Sequence, residues 1–323
     1  QIPIYHFRFI GFIFTFVLLV SLIAGVYPAL HLSNFQTVKG IKGTFTPGNG
    51  HQFRRTLVVA QFTLSVILII GTIVIFQQLK FVQQKNLGFD KEQLLYVALK
   101  NDLPSKSELI KTDLLGQSSI IDVSATSNNL INVVRSTGGI EWEGKGSEDK
   151  ILMTHMNVDY DFLSTTGMSL IAGRNISPSI ASDSVSAYLI NETAARHMGW
   201  NPAEALGKKL AMWGKEGEVI GVVKDFQFRP MTETIEPFLF RYRREETSSG
   251  LLVKAKADRV IDAISSIESI YKKYDHKSVP YYQFVDDALN KQYRLEQNTG
   301  RIVMTFSVIT IFVACLGLFG LAT

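Results

Sequence analysis

The two ends of this sequence contain no acidic residue. Residues 1–76 and 300–323 lack Asp and Glu, so all 29 acidic residues lie between positions 77 and 299. Six of the 33 basic residues lie outside that window, and the net charge of +4 comes from these flanking positions. The basic balance is therefore no indication of nucleic-acid binding, and we expect no nucleic-acid partner.

Cysteine is nearly absent as well, since Cys315 is the only one in the chain. A single cysteine cannot form an intramolecular disulfide. Because Cys315 lies inside an apolar run, its position favours a small packing residue over a redox group.

The sequence also lacks the short motifs of common enzyme classes. It contains no GxxxxGK[ST] loop, no GxSxG elbow and no GxGxxG turn, and its six histidines have no second ligand at a metal spacing. We therefore expect no catalytic residue, no bound cofactor and no metal site in this chain. An enzyme whose catalytic residues lie far apart in sequence stays open as a weaker alternative.

Three long apolar segments are present instead, at about Phe9 to Tyr27, Thr56 to Phe76 and about Ile302 to Ala322. Each has roughly the 20 residues that cross about 30 Å of hydrocarbon at about 1.5 Å per residue. The sequence predicts transmembrane helices at 1–30, 56–77 and 301–323. The chain begins with Gln and ends within the third segment, so we expect a fragment of a longer protein whose last span is truncated.

The connection between the first two segments fixes the predicted orientation. Residues 31–55 carry Lys39, Lys42, Arg54 and Arg55 but no acidic residue. The positive-inside rule places this short basic linker in the cytoplasm. The segment 77–299 is then extracytoplasmic.

The extracytoplasmic segment shows a β-α-β pattern near each of its ends. A strand, a helix and a strand are predicted at 92–99, 104–118 and 120–127, and again at 250–257, 259–274 and 280–285. Two such units around an insertion favour a split ferredoxin-like sheet. We expect one extracytoplasmic domain at 91–285 with an inserted β-rich lobe at about 130–248.

Two polar segments next to the apolar runs are predicted to be stalk helices, at 78–90 and 286–300. The stretch Gln77 to Asn86 contains no Pro or Gly, and Asp286 to Thr299 contains none either. The candidate stalk and coupling residues are Gln77, Leu79, Phe81, Val82, Leu289 and Tyr293. The predicted fold class is thus a membrane protein with three transmembrane α-helices and an α+β extracytoplasmic domain raised on helical stalks.

Small and polar residues inside the apolar runs are candidates for helix packing. Gln61 either forms a hydrogen bond between helices or reaches the membrane interface, and the pattern does not decide between the two. The candidate packing residues are Ser21, Gly25, Gln61, Ala314, Gly317 and Gly320.

Several stretches resemble the permeases of MacB/FtsX-type ABC transporters, above all the large duplicated permeases common in Bacteroidetes. The resemblance begins at AGVYPALHLSNFQTVKGIKG (24–43) and at the run from FRRTLVVAQ to QLLYV (53–97). It continues in the outer segment, which is similar to the MacB-like periplasmic core domain, at VDYDFLSTTGMSLIAGRNIS (158–177), LINETAARHMGW (189–200), LGKKL (206–210) and VIGVVKDFQFRPMTETIEPFLF (219–240).

This resemblance implies a mechanism that the residues alone do not give. Such a permease lies in the bacterial inner membrane as a multi-pass protein and couples ATP hydrolysis to movement of its periplasmic domain. ATP and Mg would bind to a cytoplasmic ABC ATPase partner and not to this chain. The lipid bilayer and either a second permease copy or a periplasmic protein are the other implied partners, and the implied roles include efflux and extraction.

The main alternative is the extracytoplasmic sensor module of a transmembrane signal receptor. A span, an extracytoplasmic α/β domain and a returning span is also the plan of sensor kinases and chemoreceptors. The additional N-terminal span and the linker sequence argue against a receptor.

Overall fold

The structure is a computed structural model that describes residues 50–131, 133, 136–146, 149, 151–243 and 248–322, together with the helical residues 11, 14, 15, 18, 19, 21 and 22. The chain divides into two compact units, one formed by Gln1–Val66 and Thr310–Thr323, the other by Ile67–Ile309.

The helices of the described residues from position 50 onward are α1 (Gly50–Gln84), α2 (Ser107–Leu115), α3 (Phe162–Thr166), α4 (Asp183–Ser186), α5 (Glu192–His197), α6 (Val260–Tyr274), α7 (Val285–Gln292) and α8 (Arg294–Ala322). The strands are β1 (Leu94–Ala98), β2 (Ile120–Thr126), β3 (Ser136–Thr137), β4 (Ile140–Trp142), β5 (Met153–Asn157), β6 (Leu170–Gly173), β7 (Ala187–Asn191), β8 (Lys209–Met212), β9 (Lys215–Val223), β10 (Phe238–Arg241), β11 (Gly250–Ala255) and β12 (Tyr281–Phe284).

Helix α1 contains the second predicted membrane segment. Within the described residues, Val58–Gln78, a stretch of 21 residues, is the one long and apolar enough to cross a membrane, and its mean hydropathy over 18 residues is 2.5. The prediction of a linker at 31–55 is wrong at its end, because α1 begins at Gly50. The chain has no Pro between that glycine and Gln84, so nothing in its backbone stops the helix from starting there.

The other two predicted spans have different outcomes. Of the third predicted span, residues 301–322 fall in α8, and position 323 lies outside the described residues. That this helix crosses a membrane stays a prediction. The segment 1–30 lies mostly outside the described residues, and so does the linker before Gly50.

A four-stranded sheet has the order β12-β1-β11-β2, and all its pairings are antiparallel. This is the order produced when two β-α-β units interleave in one sheet. Helices α2 and α6 share one apolar cluster with the strands, to which they contribute Ile110, Leu114, Ile267 and Ile270. The two helices therefore cover the same face. The predicted strands at both ends of the domain lie within one to two residues of their observed positions.

The second sheet has eight strands in the order β3-β5-β10-β7-β9-β8-β4, with β6 paired to β9. Short apolar or alternating runs in the sequence of the insertion predict strands at 138–145, 151–159, 168–173, 187–191, 209–214 and 218–228, and six strands of this sheet, β4 to β9, coincide with them. Strand β10 was not predicted. It pairs parallel to β5 and antiparallel to β7, and all four of its residues are buried. A short strand buried on both faces has no alternating pattern for a sequence reading to detect.

One apolar cluster joins the two sheets. It contains Leu94 and Leu252 from the four-stranded sheet and Leu189 and Phe240 from the eight-stranded sheet. We call this cluster the central core. Because side chains from both sheets fill it, the inserted lobe is packed onto the first lobe and is not a tethered appendage.

The first predicted stalk, 78–90, is too long. Helix α1 ends at Gln84, and the chain continues irregularly to β1. The helix stops because Leu87 and Phe89 turn into the central core, where they are 3% and 7% exposed. A continued helix would not direct both of these side chains to the same side, since residues two apart do not face each other on a helix.

The second predicted stalk, 286–300, is not continuous. Helix α7 ends at Gln292 and α8 begins at Arg294, so the helix is interrupted at Tyr293. The backbone of Tyr293 has left the helical region, with φ −100° and ψ 11°. Its side chain is buried in the central core at 7% exposure, and this anchorage accounts for a break that no Pro or Gly marks in the sequence.

Candidate coupling site at the stalk joints

The joint between α1 and the domain is held by the backbone. The carbonyl of Leu87 accepts a hydrogen bond from the Gln227 N–H at 2.7 Å, and the Asp90 N–H donates to the Thr166 carbonyl at 2.7 Å. Between them, Asn86 Oδ1 accepts from the Gly88 N–H at 2.8 Å, which closes a local turn. Residues 86–90, which we call the first joint, are thus fixed on both sides.

Gly88 is required at this joint for two reasons. Its φ of +84° lies in the region that favours glycine, and a Cβ at this position would lie 2.6 Å from the Asp225 carbonyl oxygen. The Cα and Cβ of Phe226, a residue that is 1% exposed, would lie at 2.8 Å. Neither neighbour can move away without disturbing the core.

The joint before α8, which we call the second joint, is held by side chains. Helix α7 buries Val285, Ala288 and Leu289 in the central core. Tyr293 follows, and its hydroxyl oxygen accepts a hydrogen bond from the Met231 N–H at 2.7 Å. Since Leu87, Phe89, Leu289 and Tyr293 all belong to the central core, both joints end in one packed body.

Helices α1 and α8 also contact each other within the unit Ile67–Ile309. The hydroxyl oxygens of Thr72 and Ser307 lie 3.1 Å apart. Gly300 is buried, and a Cβ at its position would lie 3.0 Å from Cγ2 of Ile75. Small residues allow this close approach of two apolar helices.

The structure separates the six candidate coupling residues. Leu289 and Tyr293 are buried together in the central core. Gln77 and Phe81 lie on the exposed surface of α1, and Phe81 is 63% exposed. Leu79 and Val82 are helical positions of α1. The sequence reading missed Leu87, Gly88 and Phe89, although a glycine between two apolar residues at the end of a polar helix was a usable signal.

The candidate packing residues stay predictions. Ser21 is exposed in a helical segment, and Gln61 is partly buried in α1, where its carbonyl accepts a hydrogen bond from Ser65 Oγ at 2.8 Å. Positions 314, 317 and 320 are helical residues of α8, and Gly25 lies outside the described residues.

A buried ion pair connects the two lobes. Lys111 Nζ in α2 donates to Asp159 Oδ2 and to Asp161 Oδ2, each at 2.6 Å, and the side chains of Lys111 and Asp159 are 9% and 2% exposed. Asp159 also accepts from Ser124 Oγ at 2.6 Å and from the Ala125 N–H at 2.7 Å. Burial opposes the charge of Lys111, but the two carboxylates outweigh burial and raise the pKa of its ammonium group.

A second ion pair lies within the inserted lobe. Arg174 donates two hydrogen bonds to Asp183, at 2.5 and 2.9 Å, and the Asp183 side chain is 2% exposed. The hydrogen bonds from Arg174 hold the pKa of Asp183 below its ordinary value, against the opposing effect of desolvation. Such a bidentate pair fixes the loop before α4.

The described residues contain no group of three or more His, Cys, Asp or Glu side chains that could hold a metal ion. An open cleft of about 610 Å³ lies next to the first joint and is lined by Lys85, Arg196, His197, Gln227 and Met231 among others. Arg196 in this cleft donates to Asp225 at 2.8 Å.

Comparison with known proteins gives the family. The sequence model of the MacB-like periplasmic core domain matches residues 57–269, about two thirds of the chain. No curated protein matches the chain.

Two solved structures are similar. The periplasmic region of MacB from Actinobacillus actinomycetemcomitans is 17% identical, with a TM-score of 0.45 over 66% of this chain and 98% of that one. The extracellular domain of the ABC-type transporter YknZ from Gram-positive bacteria is 16% identical, with a TM-score of 0.42 over 59% of this chain and 97% of that one. Both TM-scores are low, so the assignment rests on the sequence match, which covers both the apolar part of α1 and most of the outer domain. The chain belongs to the family with a MacB-like periplasmic core domain, the permease components of ABC-type transporters.

Proposed function

We propose that this chain is a transmembrane permease subunit that transmits mechanical work. ATP hydrolysis by a separate cytoplasmic ATPase would move the periplasmic domain through α1 and α8, for export, extraction or efflux of a substrate. In this proposal ATP and Mg bind to the ATPase partner, and the chain itself carries no catalytic residue.

One observation carries the proposal. The two helices that continue from apolar segments, α1 and α8, both enter the outer domain at joints packed into the same central core. A displacement of either helix would then reach both lobes without passing through a flexible linker. A receptor would use the same span order, but it does not require both helices to be fixed in one core.

The proposal includes an arrangement in the membrane. In this arrangement the predicted spans 1–30, 56–77 and 301–323 lie in the inner membrane. The linker before α1 would then lie in the cytoplasm and the core domain in the periplasm. Residues 91–130 and 248–285 form a ferredoxin-like lobe that carries the inserted β-rich lobe. A second permease copy or a periplasmic protein is the proposed further partner.

A proline in the exposed part of α1 tests transmission directly. Phe81→Pro removes the N–H that bonds one turn back and clashes with that turn, which costs about 3 kcal/mol of helix stability. In this variant we expect the rate of vanadate-sensitive ATP hydrolysis by the co-purified ATPase to be the same whether or not the periplasmic domain is present. Insertion of the chain into the membrane should be unchanged. The matched control is Phe81→Ala, which removes the same ring and keeps the helix.

The same experiment can refute the proposal. If Phe81→Pro couples ATP hydrolysis to the periplasmic domain as well as Phe81→Ala does, force does not pass through α1. If no ATPase co-purifies with the full chain and none restores activity, the proposal that this chain works with a separate ATPase is wrong.

A further inference from the structure

We infer that a ring of basic and apolar side chains around the base of the stalk binds anionic phospholipid headgroups of the outer leaflet. This lipid collar consists of Lys80, Phe81, Lys85, Arg294, Leu295 and Arg301. The inference rests on the proposed function to the extent that it requires α1 to span the membrane.

The collar lies at the level of the headgroups. The candidate span ends at Gln78, so Lys80 and Phe81 lie about 3 and 5 Å beyond it along the helix. The headgroup region on each side of a bilayer is roughly 5–8 Å thick. Lys85 lies farther out, at about 10 Å, a distance that a lysine side chain can bridge by reaching back toward the membrane.

The contacts between α1 and α8 bring Arg294 and Leu295 to the same level, whereas Arg301 lies about one to two turns closer to the membrane centre, from where its side chain can reach back toward the headgroups. Thr72 meets Ser307, and Ile75 meets Gly300. Counting outward from these contacts along both helices places Leu295 within about one turn of the height of Phe81.

The collar combines the two chemistries that a charged lipid surface recognises. Phe81 and Leu295 are large apolar side chains that are 63% and 76% exposed, and both belong to the same collar as the four cations. The four cations are exposed, and Lys85 Nζ lies 5.6 Å from the centre of the Phe81 ring. Aromatic and aliphatic side chains flanked by Lys and Arg are typical of segments that lie in a membrane interface.

Acidic residues are scarce in the sequence around the four cations. Residues 77–86 contain no acidic residue, and residues 294–301 contain one, Glu296. Among the described residues, none of the four is in an ion pair. The positive-inside rule does not explain them either, because it concentrates cations on the opposite side of the membrane. A phosphate-bearing surface would supply the missing negative charge.

The test measures lipid selectivity of the full chain. The chain is reconstituted in phosphatidylcholine nanodiscs, and the relative association of spin-labelled phosphatidylglycerol and phosphatidylcholine is measured by electron spin resonance. Each cation at a charged surface changes affinity by about fivefold, so combining Lys80→Gln, Lys85→Gln and Arg294→Gln is expected to lower the selectivity for phosphatidylglycerol by at least about tenfold. About 1 M NaCl is expected to have the same effect on the unmodified chain.

A matched control removes three cations elsewhere. Lys256, Lys272 and Lys277 are exposed lysines of the outer domain. Their combined change to Gln removes the same charge and is expected to leave selectivity unchanged. If it lowers selectivity as much as the collar variant does, the effect is one of net charge and the collar is wrong.

Two further arms separate a lipid from a free anion and from a failure of insertion. Phe81→Ser with Leu295→Ser is expected to lower selectivity, whereas millimolar inorganic phosphate is expected not to compete. If phosphate competes and the Ser variants keep full selectivity, the site binds a free anion and lipid docking is refuted. Resistance to alkaline extraction is scored in parallel: a chain that inserts without selectivity refutes the collar alone, and a chain that does not insert refutes the proposed function as well.

Discussion

Replacement of Gly88 by alanine tests the rigidity of the first joint. Two costs act at this position. The backbone at φ +84° disfavours any residue with a Cβ by about 1–2 kcal/mol. In addition, the new methyl group would lie 2.6 Å from the Asp225 carbonyl oxygen, closer than van der Waals contact allows.

A second glycine separates the two costs. Gly199 has a φ of +76°, and a Cβ there would have no neighbour within 4 Å. Gly199→Ala therefore loses unfolding free energy only through the backbone conformation. Part of this loss, about 0.4–1 kcal/mol, is offset because alanine makes the unfolded chain less flexible. Gly88→Ala adds the cost of overpacking against backbone atoms, about 1–3 kcal/mol. We expect it to lower the free energy of unfolding by about 2 kcal/mol more than Gly199→Ala does.

Thermal unfolding of the full chain in detergent, followed by intrinsic fluorescence, measures the difference. Trp142 and Trp200 are buried in the inserted lobe, each at 8% exposure, so their emission reports loss of the packed domain. For a domain of this size, about 1 kcal/mol corresponds to roughly 2–4 °C in Tm. Gly88→Ala is thus expected to melt about 4–8 °C below Gly199→Ala.

Equal Tm values for the two variants would refute the argument. They would mean that the chain near Gly88 shifts away from Asp225 at little cost. The first joint would then be a loose connection, and a displacement of α1 would be absorbed before it reached the central core.

Three further perturbations test other contacts. Lys111→Met leaves Asp159 buried without its cation and is expected to cost about 3 kcal/mol by the same thermal assay, and Asp159→Asn in the same chain should recover part of that loss. Asp183 has a lowered pKa, so its stabilising effect is present at neutral pH and is lost as the pH falls below about 4; the Tm difference between the unmodified chain and Asp183→Asn should therefore shrink toward zero in acid. Gly300→Leu should destabilise the packed helix pair by about 1–3 kcal/mol in circular-dichroism melts, and Ile75→Ala should partly restore it. An acid-independent Tm difference, or no rescue by the second substitution in the other two cases, would contradict these assignments.

The sequence predicted those elements whose pattern is local. Helix α6 places Ala263, Ile267 and Ile270 on one face, and this spacing alone marks a helix packed on a sheet. The strands of the four-stranded sheet are bounded by turn residues and were found within one or two positions. The apolar part of α1 follows from length and hydropathy.

The sequence did not predict the features that depend on distant contacts. No residue type between Asp286 and Thr299 predicts a break in the helix. The break at Tyr293 arises instead from its hydroxyl, which accepts a hydrogen bond from the Met231 N–H, and from its ring, which is buried in the central core. The end of α1 at Gln84 arises likewise from a carbonyl bonded to the Gln227 N–H. Both partners are more than 60 residues away in the chain, beyond the reach of any periodicity.

The two joints differ in a way that bears on how force would pass between helix and domain. At the first joint the backbone itself is bonded on both sides of Gly88, so α1 and the core must move together or break those bonds. At the second joint the backbone leaves the helix at Tyr293, and the connection to the central core includes the burial of its ring and the hydrogen bond from the Met231 N–H to its hydroxyl oxygen. A helix interrupted at one residue can change direction there while the side chain stays anchored. On the proposed function, α1 would therefore act as the fixed arm, and α8 could tilt about Tyr293 as the membrane helices rearrange.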